Sequence, residues 1–504
     1  MIEARTRRGI AAVLVVASVL GSLAGCGVEL ADPTAPSSST SPSTTDRGGS
    51  STTTVVPRTT TPSGAGGVDP SVRDVPDRVF SGQGDPRIDV HTYAVTLTAE
   101  PGSPRISGRV TMTLAATTAK ALPSFTLDLR GPKVSAAQVD GKPARVTAGA
   151  DQIEVTPSAP LAPGREVIAA FTYAGTPKPT TFPRLGAEVG WQQDTDGGWF
   201  TMSEPNGTAT WMPVSDHPSD KARWSITLDT PADATGVANG RLISSATANG
   251  RRSWVWRSVA PMAPYLAFVA VGHYDLVQRE GPDGIHLTFA FPPKLSTRQR
   301  SGFDELDDIL RFYSDTFGPY PFRDAGAVVV TSTLGLALEA QTRPLFGADA
   351  IGDGVVWALP HEVAHQWFGD AVSPARWEDV WLNESFATYA DWLYTAHKTG
   401  DDITDVMQEQ QVPTVGEHAV TDPEAAATFD GAVYDGGARA LHALRLEVGD
   451  RVFFEILRRW FSESSGRSVT TKDFTDLAEE VSKRDLDAFF DTWLRSAKQP
   501  ELPH

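Results

Sequence analysis

Hydrophobic positions along this chain change their period near residue 295. From about Asp85 to Asp275 they alternate in short runs such as Tyr93-Ala94-Val95-Thr96-Leu97-Thr98 and Gly108-Arg109-Val110-Thr111-Met112-Thr113-Leu114, punctuated by Gly, Pro and Asp. Side chains alternate across a strand, so these runs predict a β-sheet domain with one buried face. After Leu295, Phe303, Leu306, Ile309, Leu310, Phe312 and Tyr313 recur at helical spacing, and helices are expected to dominate to the end. No repeat of solenoid period interrupts this division. The expected fold class is therefore α+β and multidomain, with a β domain over 79–282 and a mostly helical domain over 283–504, the boundary falling near Glu280 to Gly284.

The first 78 residues read differently. Residues 1–26 begin with Arg5, Arg7 and Arg8, continue through an apolar stretch from Ile10 to about Leu23, and end in Leu23-Ala24-Gly25-Cys26. A permanent membrane helix needs ~20 apolar residues, so the shorter run predicts a cleaved export signal. Its ending resembles a bacterial lipobox, with cleavage before Cys26 and acylation of that thiol. Cys26 is the only cysteine in the chain, so the mature protein would carry no disulfide. Export facing outward from a cell membrane, through a lipid anchor, is the expected localisation; Thr6-Arg7-Arg8 leaves Sec and twin-arginine routes both open. Residues 27–78, rich in Ser, Thr, Pro and Gly, are too polar to bury a core and predict a disordered tether.

At 504 residues and 40% hydrophobic composition, the chain is long enough for sizeable cores in two or three units. A formal net charge of -18 argues against nucleic acid or a polybasic membrane patch as partner.

The chemistry concentrates between Trp357 and Ala387. His361, Glu362 and His365 form an H-E-x-x-H run, and Glu384 follows after a turn through Ser373 and Pro374. Residues four apart share a helix face, so His361 and His365 can converge on one metal while Glu362 projects beside them. Glu384, from a second helix, can complete a three-ligand zinc site with an open fourth position. In such a site Glu362 takes a proton from the zinc water and delivers it to the leaving amine.

The segment H-E-V-A-H-Q-W-F-G-D-A-V-S-P-A-R-W-E-D-V-W-L-N-E-S-F-A resembles the zinc-helix region of gluzincin metallopeptidases of the aminopeptidase N and leukotriene hydrolase type. Glu204-Pro205 through Trp211-Met212-Pro213, Asp216-His217-Pro218 and Met262 to Phe268 resemble that family's β domain. The resemblance covers most of 85–500 and implies a saddle-like β domain before a thermolysin-like catalytic domain, one zinc ion, and peptide substrates with free N termini. It also implies a short form without the family's large C-terminal helical domain. Val433-Tyr434-Asp435-Gly436-Gly437 resembles the catalytic-tyrosine segment, which makes Tyr434 the oxyanion donor. Leu336-Ala337-Leu338-Glu339-Ala340 resembles the exopeptidase motif G-x-M-E-N, placing Glu339 on the substrate ammonium, with Leu336 and Ala340 departing from the pattern. Glu204 matches a second amine-binding position. Asp370 stands where the family commonly has Asn, and Ser385 where it commonly has Gly.

The function implied is removal of N-terminal residues from peptides. Two alternatives stand beside it: a zinc endopeptidase, which the imperfect 336–340 motif favours, and a catalytically silent peptide-binding lipoprotein, against which the joint presence of His361, Glu362, His365, Glu384 and Tyr434 argues. Trp191, Trp199 and Trp211 are placed by sequence either in subsite walls or in the β core.

Overall fold

The computed structural model describes residues 77–182, 187–409, 418–421, 423–424 and 427–502. The export signal, Cys26 and the tether up to residue 76 lie outside the described residues. Among the described residues no helix is long and apolar enough to cross a membrane.

The N-terminal half is built on an eight-stranded sheet. In spatial order its strands are Arg241–Ala248, Arg251–Met262, Ala222–Pro231, Ile88–Thr98, Ile106–Ala116, Glu166–Gly175, Lys133–Val139 and Lys142–Pro143. Neighbours run antiparallel except Ile88–Thr98 and Ala222–Pro231, which are parallel. The alternation legible in sequence is the pleat itself: Tyr93, Val95 and Leu97 are buried while Ala94 and Thr96 face solvent. A second sheet, ordered Thr235–Ala238, Val269–Gly272, Trp199–Met202, Ala187–Gln193 and Thr180–Phe182, lies in the same half. Trp191, Trp199 and Trp211 are all buried there, with Trp191 stacked on Trp199 at 6.0 Å, so they belong to the core.

The C-terminal half has a sheet of its own, ordered Asp275–Glu280, His286–Phe291, Asp324–Val329, Leu345–Phe346 and Ala337–Leu338. This moves the domain boundary from the expected 282. Residues 281–284 are the turn of the hairpin that opens this sheet, and sheet membership changes earlier, between Gly272 and Asp275. The strand Asp275–Glu280 alternates like those before it, which is why periodicity assigned it to the β domain. Helices follow as expected. Leu306–Phe317 buries Leu306, Ile309, Leu310, Tyr313 and Phe317 on one face, and Trp381–Thr399 is buried all round its first ten residues, as a central helix must be.

The end of the tether also moves. Asp77 and Arg78, assigned to it by composition, belong to the folded part: Asp77 is buried, accepts from the amides of Val79 and Phe80, and accepts from the Trp377 amide at 2.7 Å. Arg78 pairs with Glu378 at 2.9 Å.

Two buried cations fasten the halves together. Lys221 donates from its ammonium to the carbonyls of Asp370 and Ala371 and to Ser373 Oγ, at 2.7, 3.0 and 2.9 Å. Arg343, wholly buried, donates to the carbonyls of Gly240, Thr288 and Ala325 and lies over the Trp256 ring. Removing that guanidinium leaves buried carbonyls unbonded. Arg343→Met is expected to lower unfolding free energy by about 2–4 kcal/mol in urea titrations; a loss under about 1 kcal/mol would show that those carbonyls find other donors.

Candidate active site

The H-E-x-x-H run lies on the short helix Leu359–Ala364, which starts with Pro360 in its first turn, where a missing amide hydrogen does no harm. His365 continues the helical turn, its amide donating to the His361 carbonyl at 3.2 Å. The chain then reverses at Gly369, whose φ of +126° suits glycine, and Asp370 N returns a hydrogen bond to the His365 carbonyl at 2.9 Å. That reversal leads to Trp381–Thr399, which carries Glu384 back over the two imidazoles.

The donor atoms converge closely. His361 Nε2 and His365 Nε2 are 3.1 Å apart, and Glu384 Oε2 lies 3.5 Å from the first and 3.4 Å from the second. A tetrahedral ion with ligands at ~2.0 Å has donor atoms about 3.3 Å apart, so these residues fit such an ion. His365 Nδ1 lies 3.1 Å from the Phe368 carbonyl, a partner for an Nδ1 hydrogen that frees Nε2 as a lone pair. Burial draws His361 below its ordinary range, which also favours the neutral ring. At His365 burial acts in the same sense, but the charges of Glu384, Glu339 and Glu362 outweigh it and push the ring up to about 10. At Glu384 burial would raise the carboxyl, yet the two histidines hold it below its ordinary range. Positive charge at the centre of this cluster is what the electrostatics favour.

Glu362 projects from the same helix. Burial first, then Glu339 and Glu384, raises its carboxyl well above the usual range, with His365 pulling the other way. The Tyr434 ring stacks beside His361, centroids 6.0 Å apart, and burial keeps its phenol protonated far into alkali. Tyr434 sits in a π-helical turn, Ala432–Gly436, ahead of the helix Gly437–Val448.

Glu339 and Glu204 come from opposite halves of the chain and meet. Glu339 directly follows the edge strand Ala337–Leu338, and Glu204 follows the strand Trp199–Met202. The Glu204 loop is tied down by Ser203 Oγ to the Ala267 carbonyl at 2.5 Å and by Thr208 Oγ1 to the Pro264 carbonyl at 2.7 Å. Carboxylate oxygens of Glu204, Glu339 and Glu384 all lie within 4.8 Å of one another. Both Glu204 and Glu339 are buried, each has an Oε1 without a hydrogen-bond partner, and burial raises both. Ala340 is buried and Leu336 half-buried; neither departure from the motif displaces Glu339 from the cluster.

All seven side chains singled out by sequence are thus in one place, while Cys26 is outside the described residues. Sequence reasoning missed Gln366. Its Oε1 accepts from the Thr342 amide at 2.7 Å, and its Nε2 points to the carbonyls of Glu339 at 3.3 Å and Glu362 at 3.5 Å. One buried amide therefore sets the spacing between the Glu339 segment and the helix of Glu362. Its position directly after His365 was the available signal.

Residues 90–266 match the Peptidase M1 N-terminal domain, and residues 303–493 match the Peptidase family M1 domain. An M1 zinc metallopeptidase from Deinococcus radiodurans, solved as a mutant bound to a Tyr-Ser-Ala substrate, superposes with a TM-score of 0.79 at 32% identity, covering 85% of this chain and 99% of that one. A two-domain M1 zinc metallopeptidase mutant bound to L-tryptophan gives 0.76 at 32% identity, over 85% and 99% of the two chains. Glutamyl aminopeptidases of Rattus norvegicus and Homo sapiens are each 26% identical over 326 and 329 residues, 60% of this chain and 34% of their own length. The chain thus spans about a third of the length of these curated relatives. Two matched domains in the family's order, and a solved relative covered almost end to end, place the chain in peptidase family M1.

Proposed function

We propose that this protein is a zinc-dependent aminopeptidase, binding one zinc ion through His361, His365 and Glu384. The observation that carries the reading is that Glu384 belongs to two clusters at once, the three-donor set and the carboxylate group it forms with Glu204 and Glu339. An ammonium held by Glu204 and Glu339 therefore lies within one residue's length of the metal ligands, and the first peptide carbonyl is the one presented for attack.

Zinc, when bound, supplies a Lewis acid and a water acidified toward pKa ~7. Glu362 accepts the proton of the attacking water and passes it to the departing amine. The Tyr434 phenol donates a hydrogen bond to the carbonyl oxygen as that oxygen gains charge. Glu204 and Glu339 fix the substrate ammonium by charge-assisted hydrogen bonds, which their unpartnered oxygens are free to make. The relatives named glutamyl aminopeptidase, and the metallopeptidase bound to a Tyr-Ser-Ala substrate, support peptide substrates with a free N terminus. We also propose export and a membrane lipid anchor at Cys26, supported by the basic start, the apolar run and the sole cysteine at a lipobox-like end.

Peptides with free N termini are expected to be cleaved and their N-acetylated counterparts not. Chelation should abolish cleavage and added zinc restore it. Glu362→Gln should lower kcat by about 10³-fold or more. Equal cleavage of acetylated peptides would make the protein an endopeptidase. Glu339→Gln, which removes one charge from the ammonium site, is expected to raise KM for free peptides by at least about 10-fold; an unchanged KM would remove Glu339 from that role. Cys26→Ser should abolish incorporation of labelled fatty acid and release the protein from the membrane fraction, whereas retention of label would place the modification elsewhere.

A further inference from the structure

We infer that Ser385 and Gln499 are positioning residues for Tyr434, pinning its π-helical turn from two sides; the inference rests on the proposed role of Tyr434 as oxyanion donor. A π turn is a rare and poorly favoured geometry, found mostly as a single turn inside an α-helix. Here it spans Ala432–Gly436 and is closed by the Gly437 amide donating to the Ala432 carbonyl. If the turn relaxed to α-helical register, side chains would rotate by about 100° per residue displaced, and the Tyr434 ring would leave the face of His361.

Two side chains oppose that relaxation. Ser385 Oγ, on the helix Trp381–Thr399, donates to the Val433 carbonyl at 2.6 Å. Gln499 Nε2 donates to the Gly436 carbonyl at 2.6 Å and to the Trp493 carbonyl at 2.9 Å. The two carbonyls so held bracket Tyr434 in the chain. Close approach on the Ser385 side is built in: a Cβ at Gly437 would stand 1.8 Å from Ser385 Oγ, so only glycine fits there. Ser385 also adjoins Glu384, so the helix segment that supplies a metal ligand sets the distance to the oxyanion donor. Gln499 is the outer clamp, reinforced by Arg439, which donates to the Pro500 carbonyl at 3.2 Å. Ser385 is one of the positions where the chain departs from the family it resembles, which commonly has glycine there, and the hydroxyl it gains is the group that makes this bond.

The test is a double-mutant cycle in the full, zinc-loaded protein. Ser385→Ala and Gln499→Met are each made alone and with Tyr434→Phe, and kcat, KM and zinc content are read with a free-amine peptide. Each single change should lower kcat by about 10-fold with KM and zinc content unchanged, and neither should lower it further in the Tyr434→Phe background. Because Ser385 adjoins a ligand, Gln499→Met is the deciding variant. Losses of the same factor with and without the tyrosine hydroxyl, or no loss of kcat from Gln499→Met, would overturn the inference. A Tyr434→Phe protein with unchanged kcat would instead overturn the role of Tyr434 itself, and the clamp with it.

Discussion

Concentrated negative charge away from water is the constraint that organises this molecule. Glu204, Glu339, Glu362 and Glu384 are all buried and each is raised by, or raises, its neighbours, and Asp370 adds a fifth carboxyl close enough to join them. Carboxylates in such surroundings either take up protons or are matched by cations. The described residues contribute His365 and Lys221 to that balance. In the proposed function a divalent ion and a substrate ammonium supply the remainder, which makes binding and charge compensation one event. On that reading a peptide lacking a free amine brings no such charge, which gives the proposed selection of N termini a physical basis independent of any steric wall.

The scaffold exists to keep those charges together against their repulsion. No one element could hold them: two come from the helix Leu359–Ala364 and the helix Trp381–Thr399, one follows the edge strand Ala337–Leu338, and one is delivered by the β half. Gln366 links the Glu339 and Glu362 segments through main-chain carbonyls, so the separation of these two carboxyl-bearing segments is set by covalent geometry and a single amide rather than by mutual attraction.

How much of this was legible in the sequence follows the range of the interactions. His361, Glu362 and His365 were readable because a helix converts a spacing of four into proximity. Glu384 needed one further assumption, a reversal of chain direction, and Gly369 provides it. Glu204, Glu339 and Tyr434 lie too far along the chain for any spacing rule, and only the resemblance of their local segments pointed to them. Ser385 was noticed as a departure without a reason; its reason is the Val433 carbonyl, 48 residues away. Gln499 carried no local signal at all. The β half was read from its pleat, yet the same alternation hid the change of sheet near residue 273, since a strand shows its period but not its partner. Asp77 and Arg78 were hidden because composition is averaged over a window, whereas Asp77 is tied to the folded part by an amide 300 residues away.

Lys221 has a consequence for how such a chain can change over generations. Its ammonium, wholly enclosed, is satisfied by two main-chain carbonyls and one hydroxyl of the other half. A carbonyl cannot be substituted away, so the turn 370–373 keeps demanding a donor there whatever its side chains become, and a lysine without that turn would be an unmatched buried charge. The two halves are consequently not freely exchangeable modules: a changed backbone path at 370–373 in one would strand the Lys221 ammonium of the other.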